Sequence, residues 1–211
     1  MQFKKYQHVE RLGTSGVEGI TEGDCFIFPK IDGTNGSVWL GDDGEVKAGS
    51  RNRELTFEED NQGFYKYIKQ QNNIKEFLLN HNNLRLFGEW LVPHTLKTYR
   101  EDAWREFYVF DVYDDEKEKY ISYEKYQSVL EHYGIEYIAP LSIIESPEKE
   151  NLIKQLDKTG NYLIEDGKGL GEGIVIKNYD YINKYGDIRW AKMVTTRFKE
   201  KHNKNEVKKQ K

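Results

Sequence analysis

Four apolar residues in a row, Cys25-Phe26-Ile27-Phe28, open the most regular part of the chain. A run this short, bounded by turn-forming residues, reads as a strand buried on both faces, here from about 24 to 31. Two more strands follow at about 35 to 41 and 45 to 50, joined by Gly41-Asp42-Asp43-Gly44, whose residues favour a hairpin turn. Before them, residues 1 to about 23 are short polar pieces with glycines at 13, 16, 19 and 23, and read as loop. Between 58 and 81 apolar side chains recur every three or four positions (Phe64, Tyr67, Ile68, Ile74, Phe77, Leu78), which predicts one helix with one apolar face. The segments at about 84 to 90 and 107 to 113 read as strands, separated by a polar loop from 93 to 106. Ser122 is positioned to cap a helix running to about Tyr133, with Gly134 as its stop signal. Pro147 is expected in the first turn of another helix, from Glu148 to about Lys158. Strands at 174 to 177 and 188 to 194 complete a mixed, largely antiparallel α+β pattern without internal repeats or linkers.

Composition narrows this picture. A chain of 211 residues with 37% hydrophobic and 14% aromatic side chains can bury a substantial core, as one domain or one domain with a short appendage. No apolar run approaches the length of a membrane span, and the first ten residues are charged and lack a signal-peptide core. A single cysteine, Cys25, rules out a disulfide framework, so a reducing, cytoplasmic location is expected. The net charge of −4 does not advertise a nucleic-acid binder, but its distribution is uneven: residues 197 to 211 hold seven Lys/Arg against two Glu, a net of +5 that leaves −9 on the remainder. The expected organisation is therefore a body from 1 to 196 and a basic tail from 197 to 211. That tail is either a solvated end or a contact for a phosphate backbone.

The candidate chemistry centres on Lys30-Ile31-Asp32-Gly33-Thr34-Asn35. A lysine closing a buried strand is costly, and desolvation together with nearby cations lowers its pKa until the free amine becomes a nucleophile. Alone, the tetrapeptide from Lys30 to Gly33 describes equally well a hairpin whose lysine reaches back to water. Other predicted strands, however, also deliver charges near their ends: Arg51, Glu89, Glu172 with Lys177, and Lys192. Such a set suits a cleft for a polyanion and a metal.

In this order the residues resemble the covalent nucleotidyltransferases, the ATP-dependent RNA and DNA ligases and mRNA capping enzymes. Lys30-Ile31-Asp32-Gly33 resembles their nucleophile motif, Ser50-Arg51 the motif after it, and Phe87-Gly88-Glu89 the third. Phe107-Tyr108-Val109-Phe110-Asp111 is similar to the aromatic motif that follows, Glu172-Gly173-Ile174-Val175-Ile176-Lys177 to the fourth, and Trp190-Ala191-Lys192 to the fifth. The likeness covers about residues 24 to 194, and Asn35 with the aromatic motif points to the phage-type, nick-sealing RNA-repair branch. It implies a nucleotidyltransferase (ATP-grasp-like ligase) domain of antiparallel sheets flanked by helices, using ATP and Mg²⁺ (or Mn²⁺). It also implies that Lys30 attacks the α-phosphorus of ATP to give a lysyl-AMP, with Lys177 and Lys192 on the α-phosphate and Glu172 helping to hold the metal. Asn35 would contact the α-phosphate, Arg51 the ribose and phosphate, Glu89 the ribose hydroxyls, and Phe110 would stack on adenine. The AMP would pass to a 5′-phosphate RNA end before a 3′-hydroxyl displaces it, and Arg53, His94, Lys97 and Arg100 are weaker candidates for holding those ends.

Two departures from that branch bear on the later steps. Its fifth motif carries a second lysine where this chain has Val194, so Arg197 or Lys199 would have to substitute. The sequence also runs only about 17 residues past Val194, so no appended C-terminal domain is expected unless a partner supplies it. The alternatives are a capping-type guanylyltransferase, a DNA ligase, or an inactive module that binds RNA ends.

Overall fold

A computed structural model of the chain describes residues 1–196 together with Phe198 and Lys199. Of the expected basic tail, Arg197 and residues 200 to 211 lie outside the described residues. In chain order the strands are β1 (Glu10–Arg11), β2 (Asp24–Lys30), β3 (Thr34–Leu40), β4 (Val46–Gly49), β5 (Leu84–Trp90), β6 (Phe107–Asp114), β7 (Lys119–Ile121), β8 (Ser142–Glu145), β9 (Gly173–Lys177) and β10 (Ala191–Val194). The helices are α1 (Phe64–Gln70), α2 (Asn72–Asn80), α3 (Tyr123–His132) and α4 (Lys149–Lys158). The class is the mixed α+β one that the sequence predicts. Among the described residues no helix is long and apolar enough to cross a membrane.

The elements gather into two compact units, each drawn from separated stretches of chain. The first comprises Met1–Tyr6, Gly33–Val92 and Arg105–Ile138, and holds an antiparallel sheet in the order β4-β3-β5-β6-β7. One face of this sheet packs against α1. Gly36 and Gly88 lie there because a Cβ would come within 2.6 Å of the Phe64 ring and 2.5 Å of the Phe107 ring, respectively. The opposite face is covered by the first six residues: the Phe3 ring lies 6.0 Å from Trp39, and the Tyr6 ring 5.0 Å from Phe87.

The second unit comprises Gln7–Asp32, Pro93–Trp104 and the chain from Ala139 onward. Its sheet runs β1-β10-β9-β2-β8, parallel only between β1 and β10. One face builds a core from Cys25, Ile27, Ile174, Ile176 and Ala191 against Leu152 of α4 and the nearby Val17 and Ile20. Successive strand residues alternate between faces, so Phe26, Phe28 and Lys30 point the other way, opposite Lys177, Val175 and Gly173 of β9. Lys192 lies opposite Val175 from the other side. The register therefore sends Lys30, Lys177 and Lys192 to one face. Pro29 is tolerated because β8 pairs with β2 only as far as Ile27, and no second neighbour asks for its missing N–H.

Several sequence expectations are corrected. The single helix over 58 to 81 is two helices that begin only at Phe64, after Gly63 in the left-handed region, and break at Gln71. The step from Ile68 to Ile74 is six residues, out of phase with a 3.6-residue stripe, and the break restores the phase. Ser122 occupies the N-cap of α3, but its side chain makes no capping bond. Pro147 precedes the α4 N-cap, and that cap is made instead by Glu148 and Asn151 in a reciprocal capping box. The strand expected over 188 to 194 starts only at Ala191. The short strands β1, β7 and β8 lack the alternation that would have announced them.

Two measurements check this packing. A Cβ on Gly173 would sit 2.2 Å from the Met193 carbonyl oxygen, a backbone atom that cannot swing aside. Gly173→Ala should therefore cost about 1–3 kcal/mol or more in chemical denaturation. Burial also pushes the Cys25 thiol up to about 11, leaving roughly a thousandth as thiolate at pH 8. Iodoacetamide should spare Cys25 in the folded protein and label it once denaturant is added.

Candidate active site

In the second unit, β2 and the turn before β9 bring Lys30 and Glu172 together, with Lys30 Nζ donating to Glu172 Oε2 at 2.6 Å. The Lys30 side chain is 26% exposed and that of Glu172 10%, so the pair faces solvent only through the amine. The sequence surrounds Lys30 with cations, yet its closest charge is this carboxylate, which favours the ammonium form. Burial raises the Glu172 pKa above the ordinary carboxylate value. Lys30 and, more weakly, Lys192 pull it down, while Asp32 adds to the rise. Burial outweighs the ion pair.

Lys177 is almost fully buried. Its ammonium lies 4.5 Å from the Phe28 ring centroid and 5.8 Å from that of Trp190. Such cation–π contacts return about 0.5–2 kcal/mol each against the cost of desolvation. Lys192 is half-buried on the same sheet face, one strand further along.

Asp32 is buried as well, and ties the 93 to 104 loop to the turn after β2. Its Oδ1 lies 2.8 Å from His94 Nδ1, its Oδ2 accepts from Leu96 N at 2.6 Å, and its own N–H donates to the Tyr99 hydroxyl at 2.7 Å. His94 is thus anchored on Asp32. Lys97 and Lys199 are exposed, and Arg100 Nε pairs with Asp102 at 3.2 Å. Arg197 lies outside the described residues.

The first unit carries the remaining candidates. Asn35 of β3 and Glu89 of β5 are cross-strand partners, and Glu89 Oε1 accepts from Gly33 N at 2.9 Å. Arg51 and Arg53 occupy the exposed turn after β4, where Arg53 Nε lies 3.7 Å from Glu59. The pairing of β5 with β6 slips between Phe87 and Gly88: Phe87 faces Asp111 and Gly88 faces Val109, so Phe110 is the extra residue of a bulge. This bulge turns Phe110 and Asp111 toward one neighbour. The Tyr6 ring lies 4.9 Å from Phe110, and its hydroxyl donates to Asp111 Oδ2 at 2.5 Å.

Sequence reasoning missed Tyr6, Tyr99 and the anchoring role of Asp32. Asp32 stood inside a recognised motif but read only as a turn residue, and nothing local marks Tyr6 or Tyr99. Among the described residues no three His, Cys, Asp or Glu side chains converge to hold a metal ion. A buried single carboxylate such as Glu172 still suits Mg²⁺, which keeps most of its ligands as water and phosphate oxygen.

Two mostly antiparallel sheets with flanking helices form the nucleotidyltransferase fold of RNA ligases, as solved structures of a Naegleria gruberi RNA ligase demonstrate. One mutant of that enzyme, with ATP and Mn, matches at a TM-score of 0.72 and 22% identity over 95% of this chain and 58% of that one. Another, with AMP and Mn, gives 0.70 and 22% over the same shares, and the enzyme with PPi gives 0.68 and 21% over 96% and 58%. This chain thus spans 58% of the length of those proteins. A family model described as RNA ligase matches residues 23–194, and the chain belongs to the RNA ligase family. No curated protein sequence matches it significantly.

A carboxyl whose pKa is raised by folding binds its proton more tightly when folded, so it withdraws stability as pH climbs. Wild type should therefore lose stability relative to Glu172→Gln as pH rises from below the ordinary glutamate value of 4.5, with the difference levelling off above the raised value. Urea denaturation at a series of pH values reads this, and a flat difference would contradict it.

Proposed function

We propose that this chain is an ATP-dependent RNA ligase that joins 3′-hydroxyl and 5′-phosphate RNA ends through a lysyl-AMP and an adenylylated 5′ end. The observation that carries this reading is the Lys30–Glu172 pair on a sheet face that also bears Lys177 and Lys192. Family membership supports it, as do the ATP and AMP held by the Naegleria neighbours.

Lys30 waits as an ammonium and must become an amine before it can attack. Glu172, whose affinity for a proton is raised by burial, is the acceptor at 2.6 Å. The Lys30 lone pair then forms the P–N bond to the α-phosphorus. The bond to the bridging oxygen breaks, and pyrophosphate departs with that electron pair while the second amine proton passes to solvent. Lys177 and Lys192 balance the charge on the α-phosphate, since phosphoryl transfer depends chiefly on positioning and neutralisation. Once it has passed that proton on to solvent, Glu172 would also help to hold a divalent cation that lends further neutralisation. Asn35, Arg51, Glu89 and Phe110 keep the nucleotide-binding roles that the resemblance gives them, and His94, Lys97, Arg100 and Arg53 remain candidates for the RNA ends.

Incubation with α-labelled ATP and Mg²⁺ should leave labelled AMP on the wild-type protein and none on Lys30→Ala or Lys30→Arg. Wild type should also join nicked RNA. Equal labelling of Lys30→Ala would sink the mechanism, labelling by GTP alone would make the protein a guanylyltransferase, and sealing of DNA alone would make it a DNA ligase. RNA binding without joining, even of a pre-adenylylated strand, would leave an end-binding module.

A further inference from the structure

The second unit contains a cleft of about 920 Å³ that reaches Glu172 and Lys192 and extends well past them. Its floor is apolar, open at the half-buried Leu12 and Met193 above the core residues Val17, Ile20 and Leu152, and its other walls carry Arg11, Lys149 and Lys199. The charges on this lining do not cancel. Both of its carboxylates are engaged, Glu172 with Lys30 at 2.6 Å and Glu18 with Lys184 at 3.4 Å. Among the described residues Arg11, Lys149 and Lys199 have no carboxylate within ion-pair distance, whereas Arg100 and Arg189 of the same unit pair with Asp102 and Asp187. Arg11 is also the in-register neighbour of Lys192 across the β1–β10 pairing. Two cations side by side on a sheet face repel, and an anion in the cleft would relieve that repulsion.

A basic rim over an apolar floor matches a single strand of nucleic acid, whose phosphates need cations and whose bases need an apolar surface. Pyrophosphate would use the cations and leave the floor idle. We propose that this cleft holds the RNA strand next to the reacting end, with its phosphates on Arg11, Lys149 and Lys199 and a base against the apolar floor. The inference deepens the RNA-ligase reading and names residues that no motif contains.

The test is direct binding of a fluorescently labelled, 5′-phosphorylated single-stranded RNA, read by anisotropy at several salt concentrations. Relative to wild type, the double variant Arg11→Ala/Lys149→Ala should bind about tenfold or more weakly. Its plot of log affinity against log salt should flatten by ~1.4, about 0.7 for each phosphate contact removed. Both positions are exposed, so the unfolding midpoint should not move. Lys154→Ala, an exposed lysine on the same helix but outside the cleft, should leave RNA affinity unchanged. An unchanged salt slope in the double variant overturns the proposal, as does an equal loss in Lys154→Ala. A higher ATP requirement for self-labelling with RNA affinity intact also overturns it, and assigns the cleft to the polyphosphate. Wild type that binds RNA through these residues but never forms a lysyl-AMP would sink the ligase reading and leave the cleft standing.

Discussion

The structure of the second unit turns on how to keep charged side chains on a nearly dry sheet face. An isolated buried ammonium or carboxylate costs several kcal/mol, and removing one member of a buried pair costs on the order of 3–5 kcal/mol. Lys30, with a quarter of its side chain in solvent, stands below that range. Each charge here finds a different answer. Lys30 and Glu172 neutralise each other at 2.6 Å, and Lys177 lies against the faces of Phe28 and Trp190. Asp32 is satisfied by a backbone N–H and by His94. The same low polarity that makes these charges costly is what raises the affinity of Glu172 for a proton.

The period-two geometry of strands makes such a face possible. On β2 and β9, Cys25, Ile27, Ile174 and Ile176 anchor the sheet to α4, and the intervening positions, Lys30 and Lys177 among them, are left to the opposite face. The first unit uses the alternation differently, by breaking it. The slip between β5 and β6 puts Phe110 and Asp111 against the same tyrosine, where strict alternation would have sent them to opposite faces. Gly36 lets α1 approach the sheet more closely than a side chain would allow, and Gly88 makes room for the Phe107 ring of the neighbouring strand.

Much of this was legible from residues alone, for identifiable reasons. Cys25 to Phe28 announced a buried strand because the apolar run is short and lies between turn-forming residues, and β3, β5, β6 and β9 followed the same logic. The spacing of Phe64, Ile68, Ile74 and Phe77 revealed helix but concealed its break, because a six-residue step passes for periodicity when counted loosely. The lysines were legible as oddities at strand ends. Their shared face was not, since it depends on a register between residues about 150 positions apart. Tyr6 and Tyr99 were invisible because their roles are contacts to distant carboxylate and backbone groups, with no local pattern to mark them. The discontinuous assembly of both units was hidden for the same reason: composition along the chain does not change where the fold does.

That discontinuity sets the order in which Lys30 acquires its neighbours. The strand ending in Lys30 pairs on one side with residues 142 to 145 and on the other with residues 173 to 177. Such long loops close slowly, and their entropy must be met before the pairing rewards it. During synthesis the lysine therefore remains an ordinary, hydrated side chain until most of the polypeptide has emerged. A chain halted before Glu172 carries the amine without its counter-charge and without the two other lysines of its sheet face, so that charged face exists only once the second half of the chain has joined the sheet.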